Sequence, residues 1–83
     1  MTPKEKAEYL MKKFISKCNN WNENYVMNSE ITELKKDCFN MQWFTPKDVV
    51  LEFIKECISE YSFEVPSIRK NYWEDVKNEL LKL

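Results

Sequence analysis

Glycine and histidine are both missing from this 83-residue sequence, and their absence excludes several kinds of functional site. Phosphate-binding loops, dinucleotide fingerprints and oxyanion loops built on a glycine turn all need the backbone freedom of glycine. Without histidine there is no Ser-His or Cys-His pair, no HExxH zinc site and no ordinary proton shuttle near neutral pH. We therefore expect no catalytic residue, no metal ligand and no cofactor, and we interpret the chain as a binding protein and not an enzyme.

Cysteine is scarce as well, because the chain has only Cys18, Cys38 and Cys57 and no CxxC pair. An odd number at wide spacing argues against a disulfide framework and against a structural zinc site. We interpret the three as reduced core thiols of a cytoplasmic protein, and a redox switch is the alternative. The charged N-terminus does not resemble a signal peptide, and no apolar run reaches the ~20 residues of a membrane span.

Charged residues make up 33% of the chain, yet the formal net charge is only -1. This balance argues against a protein that is held on nucleic acid by bulk charge. The charge is unevenly distributed, since residues 1–18 carry five lysines and two glutamates, whereas residues 45–65 carry five acidic residues and two lysines. A chain of this length makes one domain with a small core.

Four segments show the apolar spacing and the end signals of α-helices. The first begins with a cap, a proline and a capping-box glutamate at Thr2-Pro3-Lys4-Glu5, and Thr45-Pro46-Lys47-Asp48 repeats this start signal. The predicted helices cover residues 3–18, 30–41, 46–61 and 67–82, with residue 72 as the alternative start of the last one. The sequence thus predicts an all-α fold, a small antiparallel bundle of three to four helices in a single domain, residues 1–83.

The segments between these helices are predicted to be connectors. The asparagine-rich residues 19–24 favour a loop, residues 25–27 a short extended piece, and Asn28 or Ser29 a cap for the second helix. With no glycine, helix ends must use asparagine or fray. The core stripe of the second helix is predicted to hold Ile31, Leu34, Cys38 and Met41, with Phe39, Trp43 and Phe44 off it. The other core faces are predicted to hold Ala7, Leu10, Met11, Phe14, Ile15 and Cys18 in the first helix, Val49, Val50, Phe53, Ile54, Cys57, Ile58 and Tyr61 in the third, and Ile68, Tyr72, Trp73, Val76, Leu80 and Leu83 in the last.

An acidic series at four-residue spacing is the most distinctive surface feature of the sequence. Asp48, Glu52, Glu56 and Glu60 advance about 40° per step around a helix, so they share its solvent side, and Glu64 lies just beyond. Like charges at this spacing cost a few tenths of a kcal/mol per pair. One interpretation is a solvated face neutralised by nearby lysines, and another is a strip that docks on a basic surface. Paired catalytic carboxylates are a third, but no apolar pocket is evident that would raise one pKa.

Two further groups of residues are candidates for binding. Lys6, Lys13 and Lys17 form a ridge on the first helix that either is solvated or contacts phosphates; the chain's single arginine argues against sequence-specific DNA recognition. Several aromatic residues lie in or near the predicted loops, where they either cover the ends of the core or anchor a protein contact. We expect such a contact site mainly around Trp21 and Trp43. This aromatic group consists of Trp21, Tyr25, Trp43, Phe44 and Phe63.

The two ends of the chain carry a resemblance. The opening M-T-P-K-E-K-A at residues 1–7 and the closing Y-W-E-D-V-K-N-E-L at residues 72–80 resemble short uncharacterised proteins of Bacteroidetes phages and prophages, which also place an amphipathic helix where residues 49–57 lie. The resemblance covers about half of the chain, and residues 19–44 depart from it. It implies a phage or prophage origin in a bacterial host cell, with no assigned activity and no functional residue carried over.

These observations lead to one functional hypothesis and two alternatives. The first is a small inhibitor that docks on a host defence protein, with a CRISPR effector nuclease or its RNA complex as the candidate partner. It would use the acidic series together with Trp21, Tyr25, Trp43 and Phe44. The alternatives are a nucleic-acid accessory protein that uses Lys6, Lys13 and Lys17, and a homo-oligomeric assembly protein.

Overall fold

The computed structural model describes residues 1–38 and 40–83, and over these residues it contains five α-helices and no β-strand. The helices are α1 (Pro3–Asn19), α2 (Glu23–Asn28), α3 (Ile31–Asp37), α4 (Asn40–Glu60) and α5 (Ile68–Lys82). The all-α class is therefore confirmed. The predicted positions of Phe39 and of the Met41 side chain lie outside the described part.

Helix α1 begins and ends as its sequence predicts. The backbone N–H of Glu5 donates to Thr2 Oγ1 at 3.2 Å, and the N–H of Thr2 donates to Glu5 Oε1 at 3.1 Å, which completes the capping box. At the other end Asn20 takes a left-handed conformation, with φ 55° and ψ 38°, and its N–H donates to the carbonyl of Ser16. Asparagine thus takes the position that glycine usually fills.

The segment after α1 contains a helix, so the prediction of a loop followed by an extended piece is wrong for residues 23–27. Asn22 caps α2 because its side chain accepts a hydrogen bond from the N–H of Tyr25 at 3.2 Å. Glu23 adds a negative charge in the first turn, and Val26 is fully buried. The cap and the acidic first turn were visible in the sequence.

The predicted second helix at 30–41 is divided in the structure. Helix α3 covers only Ile31–Asp37, and Glu30 at its start makes no side-chain cap. Asn28 and Ser29, the expected caps, instead end α2, where Ser29 Oγ donates to the carbonyl of Tyr25 at 2.6 Å. Leu34 and Cys38 are buried on the expected stripe, so the face was predicted and the bounds were not.

Helix α4 begins six residues earlier than predicted, at Asn40 instead of Pro46, and runs through that proline. Asp48 stands where a capping box needs the longer Glu or Gln, so the start signal at 45–48 is incomplete. Trp43, Pro46, Val50 and Ile54 follow one another at helical spacing, and all four are buried. The burial of this stripe accounts for a helix that continues despite the donor that Pro46 lacks.

Helices α1, α4 and α5 pack against one another in all three pairs, and α2 packs on α1. Phe53 joins the three helices, because its ring lies 6.5 Å from that of Phe14 and 5.9 Å from that of Trp73. The molecule measures 41 × 21 × 20 Å. The buried apolar core consists of Ala7, Leu10, Met11, Ile15, Val26, Leu34, Cys38, Trp43, Val50, Ile54, Val76 and Leu80.

Several residues of the predicted core faces are exposed. Cys18, Val49, Phe53 and Ile68 are the corrections. Val49, Phe53 and Ile68 lie at the edges of their helix stripes, and Cys18 lies on its stripe but in the last turn of α1. Helix α5 begins at Ile68, close to the first predicted start and not at residue 72. Over the described residues no helix is both long enough and apolar enough to cross a membrane.

Candidate binding surface

The acidic face, defined as Asp48, Glu52, Glu56 and Glu60, lies on the outer side of α4. All four residues are exposed, and the helix that carries them is held by the burial of Val50 and Ile54 on its opposite side. Their placement together on one solvent-facing strip follows the sequence prediction.

Few cations neutralise the acidic face. Lys55 Nζ lies 3.6 Å from Glu52 Oε1, with both side chains at least half exposed, so solvent screens this pair strongly. Within residues 1–38 and 40–83 no ion pair joins Asp48, Glu56 or Glu60 to a basic side chain. The lysine ridge of α1, an expected source of compensation, makes no ion pair with these described carboxylates either. The strip therefore presents net negative charge to solvent.

Two apolar side chains accompany the acidic face. On a helical wheel Val49 falls between Glu56 and Glu60, and Phe53 falls next to Glu60. Val49 is 41% exposed and Phe53 is 43% exposed, so each offers part of its side chain to solvent. A partner on this strip would meet carboxylates and apolar groups together.

Trp21 and Tyr25 line one cleft of about 460 Å³ near the C-terminal end of α1. Ser16 sets the position of Trp21, because its carbonyl accepts the N–H of Trp21 at 3.0 Å and its hydroxyl donates to the Trp21 carbonyl at 3.2 Å. Tyr25 is exposed, and Asp37 from the end of α3 also lines the cleft. The structure thus joins two of the predicted aromatic contacts.

Trp43 and Phe44 differ sharply although they are neighbours. Both lie inside α4 and not in a loop, which corrects the sequence prediction. Trp43 is 4% exposed and belongs to the core, with Lys35 Nζ 5.8 Å from its ring centroid. Phe44 is 56% exposed beside a small cleft that it lines with Lys35 and Lys47. Only Phe44 of the two has a ring face available to a partner.

The lysine ridge, Lys6, Lys13 and Lys17, is largely committed to contacts within the protein. Lys6 Nζ lies 5.5 Å from the ring centroid of Tyr9 and 5.8 Å from that of Trp73. Lys13 Nζ lies 5.8 Å from the ring of Tyr9 and 4.0 Å from Glu23 Oε1. Only Lys17 extends into solvent with no such contact among the described residues.

Two of the three cysteines, Cys38 and Cys57, have raised pKa values. Burial first, and then the charge of Asp37, raise the pKa of Cys38. Burial is also the main cause that raises the pKa of Cys57, followed by Glu60, while Lys6 acts in the opposite direction. A raised pKa lowers the thiolate fraction at neutral pH, which disfavours a redox role for these two thiols.

Sequence reasoning missed the most exposed apolar group of the structure. The connector tip, defined as Phe63, Val65 and Ile68, comprises two residues of the connector between α4 and α5 and the first residue of α5, shortly after the acidic face in the chain. The sequence predicts Phe63 as a loop aromatic, but it places Ile68 on the core face of the last helix. Pro66 is the sequence signal for this exposed group, because a proline disfavours helical conformation at the residue before it, Val65. Phe63 and Val65 therefore belong to no helix with an apolar face that could bury them.

Over the described residues no cluster of His, Cys, Asp or Glu has the arrangement of a metal site. Comparison of the chain with protein-family models, with curated proteins and with solved structures gives no significant match.

Proposed function

We propose that this chain is a small binding protein that docks on a basic surface of a partner protein through the acidic face of α4. The observation that carries the proposal is the set of four exposed carboxylates, which among the described residues have one lysine partner, Lys55, in a solvent-screened pair. Like charges at four-residue spacing repel one another and destabilise α4, so the acidic face lowers the stability of the fold itself. A concentrated potential of one sign steers association with a surface of the opposite sign.

The partner in this proposal is a host defence protein, and its basic surface is a nucleic-acid channel. Such a channel is lined with lysine and arginine that normally contact phosphates, and a strip of carboxylates offers the same charge. A CRISPR effector nuclease or its RNA complex is the specific candidate, in keeping with the resemblance to phage and prophage proteins. An antiparallel order of the bundle, a cytoplasmic location in a bacterial host and the absence of enzymatic activity belong to the same proposal.

The experiment is affinity capture from a Bacteroidetes lysate followed by competition with double-stranded DNA. The proposal predicts that a captured partner binds DNA and is released when DNA is added in excess. Retention of the partner at every DNA concentration would show that the two ligands do not share a surface. With a candidate nuclease, inhibition of cleavage should be strong when this protein is added before the target DNA and lost when it is added after.

The nucleic-acid alternative has less support, because Lys6 and Lys13 contact aromatic rings and Glu23. A gel shift with duplex DNA and with RNA tests it at about 50 mM salt, where contacts to phosphates are strong. The docking proposal predicts that this protein does not shift the mobility of either nucleic acid. A shift that disappears in the variant Lys6→Ala/Lys13→Ala/Lys17→Ala would favour the lysine ridge as the binding surface.

A further inference from the structure

We propose that the connector tip is an apolar anchor that inserts into a cleft of the partner protein, a cleft bordered by basic side chains. The inference rests on the proposed function, since the tip follows Glu60, the last residue of the acidic face. Phe63 is 93% exposed, Val65 is 92% exposed and Ile68 is 68% exposed. These three exposed apolar side chains lie within six residues of the chain, and exposed apolar groups that lie close together mark a contact surface more often than scattered single residues do.

The connector is held in shape before any partner binds. Its turn is closed by the N–H of Glu64, which donates to the carbonyl of Tyr61 at 3.1 Å, and by Ser67 Oγ, which donates to the carbonyl of Glu64 at 3.1 Å. Arg69 Nε lies 3.5 Å from Glu64 Oε1, and its guanidinium lies 5.2 Å from the ring centroid of Tyr61. A segment that is already ordered loses less conformational entropy on binding, so its exposed side chains act as ready anchors.

Charge decides which kind of partner fits this tip. Glu56 and Glu60 carry no ion pair among the described residues, Arg69 is paired with Glu64, and Lys70 adds a half-buried cation in the first turn of α5. Two copies joined tip to tip would bring the two Glu60 side chains toward each other, which repulsion disfavours. The same carboxylates oppose contact with an anionic membrane. A protein cleft with an apolar floor and a lysine or arginine rim matches both features.

The test compares Phe63→Ser/Val65→Ser with a control variant, Leu81→Ser, which removes an exposed apolar side chain from α5. Binding to the partner identified by the capture experiment is measured by surface plasmon resonance at several salt concentrations. We expect the tip variant to dissociate at least about tenfold faster, because losing two buried apolar contacts lowers affinity by that order. Its association rate and salt dependence should stay unchanged, and Leu81→Ser should bind as the parent does.

Each other outcome has a distinct meaning. Unchanged dissociation of the tip variant overturns the inference and leaves the proposed function standing, provided that charge reversal on the acidic face still abolishes binding. If neither the tip variant nor the charge-reversal variant loses binding, both the inference and the proposed function are overturned. Dimerisation of the parent protein in sedimentation velocity, removed by the tip variant, would assign the tip to self-association instead. Sedimentation of the parent with phosphatidylserine vesicles would assign it to a membrane. A clear fall in melting temperature of the tip variant would show that these side chains pack within the protein.

Discussion

Thr2 and Glu5 hold the first turn of α1 by exchanging two hydrogen bonds. We expect Thr2→Ala to lower the free energy of unfolding by about 1 kcal/mol, because an N-cap hydroxyl is lost. Glu5→Gln should lower it much less, because the side-chain oxygen of glutamine can still accept the hydrogen bond from the backbone N–H of Thr2. Urea denaturation at neutral pH measures both variants. Equal losses in the two would contradict the capping box.

The same pair predicts a dependence on pH. The backbone N–H of Thr2, and then its hydroxyl, hold the pKa of Glu5 below its ordinary value of 4.5. The stabilisation is therefore present above pH 4.5 and is lost as the pH falls through the lower pKa of the folded state. We expect the stability difference between the parent protein and Glu5→Gln to shrink as the pH is lowered below 4.5. A constant difference across that range would exclude the effect.

The three cysteines should differ in their reaction with iodoacetamide. Cys18 is exposed, Cys38 is buried, and burial raises the pKa values of Cys38 and Cys57. Because the thiolate is the reacting form, we expect alkylation of Cys18 first and of Cys38 last, followed by mass spectrometry of the intact and digested protein at pH 8. All three should react alike in urea. Early modification of Cys38 in the folded protein would contradict its place in the core.

At the scale of the helices, α4 gives the sharpest test of the fold. Trp43→Ala should lower the free energy of unfolding by about 3–5 kcal/mol, because it empties a filled core position. Phe44→Ala, its immediate neighbour, should change it by less than about 1 kcal/mol, as expected at an exposed site. Chemical denaturation at low temperature measures both. Similar effects for the two would contradict the burial of Trp43 next to an exposed Phe44.

The helices also show what the sequence could and could not predict. Helices α1 and α5 agree closely with the prediction because each has an apolar stripe confined to one helix. The sequence predicts too short a helix α4, because the local start signal at Thr45 and Pro46 indicates a later start than the apolar periodicity, which extends back to Trp43. Helix α2 was missed because an asparagine-rich segment favours a loop locally, whereas Val26 is buried by contacts with α1. In both cases tertiary packing overrode local preference.

At the scale of the whole molecule, charge was easier to predict from the sequence than contacts between segments. Predicting the acidic face requires only the periodicity of a helix, and the structure places its four carboxylates together on one side of α4. The meeting of Trp21, Tyr25 and Asp37 in one cleft depends on how α1, α2 and α3 fold back on one another, which no local pattern contains. The connector tip likewise emerges only when the core is complete and three apolar side chains remain outside it.

The central claim is that the acidic face is the binding surface, and charge reversal tests it most directly. The variant Glu52→Lys/Glu56→Lys/Glu60→Lys is compared with Glu33→Lys/Glu74→Lys/Asp75→Lys, which changes the net charge equally at exposed positions on α3 and α5. Binding to the captured partner is measured together with the helical circular dichroism of each variant. We predict that only the α4 variant loses binding, by at least about 100-fold, while both keep their helices. Full binding by a folded α4 variant would contradict the account.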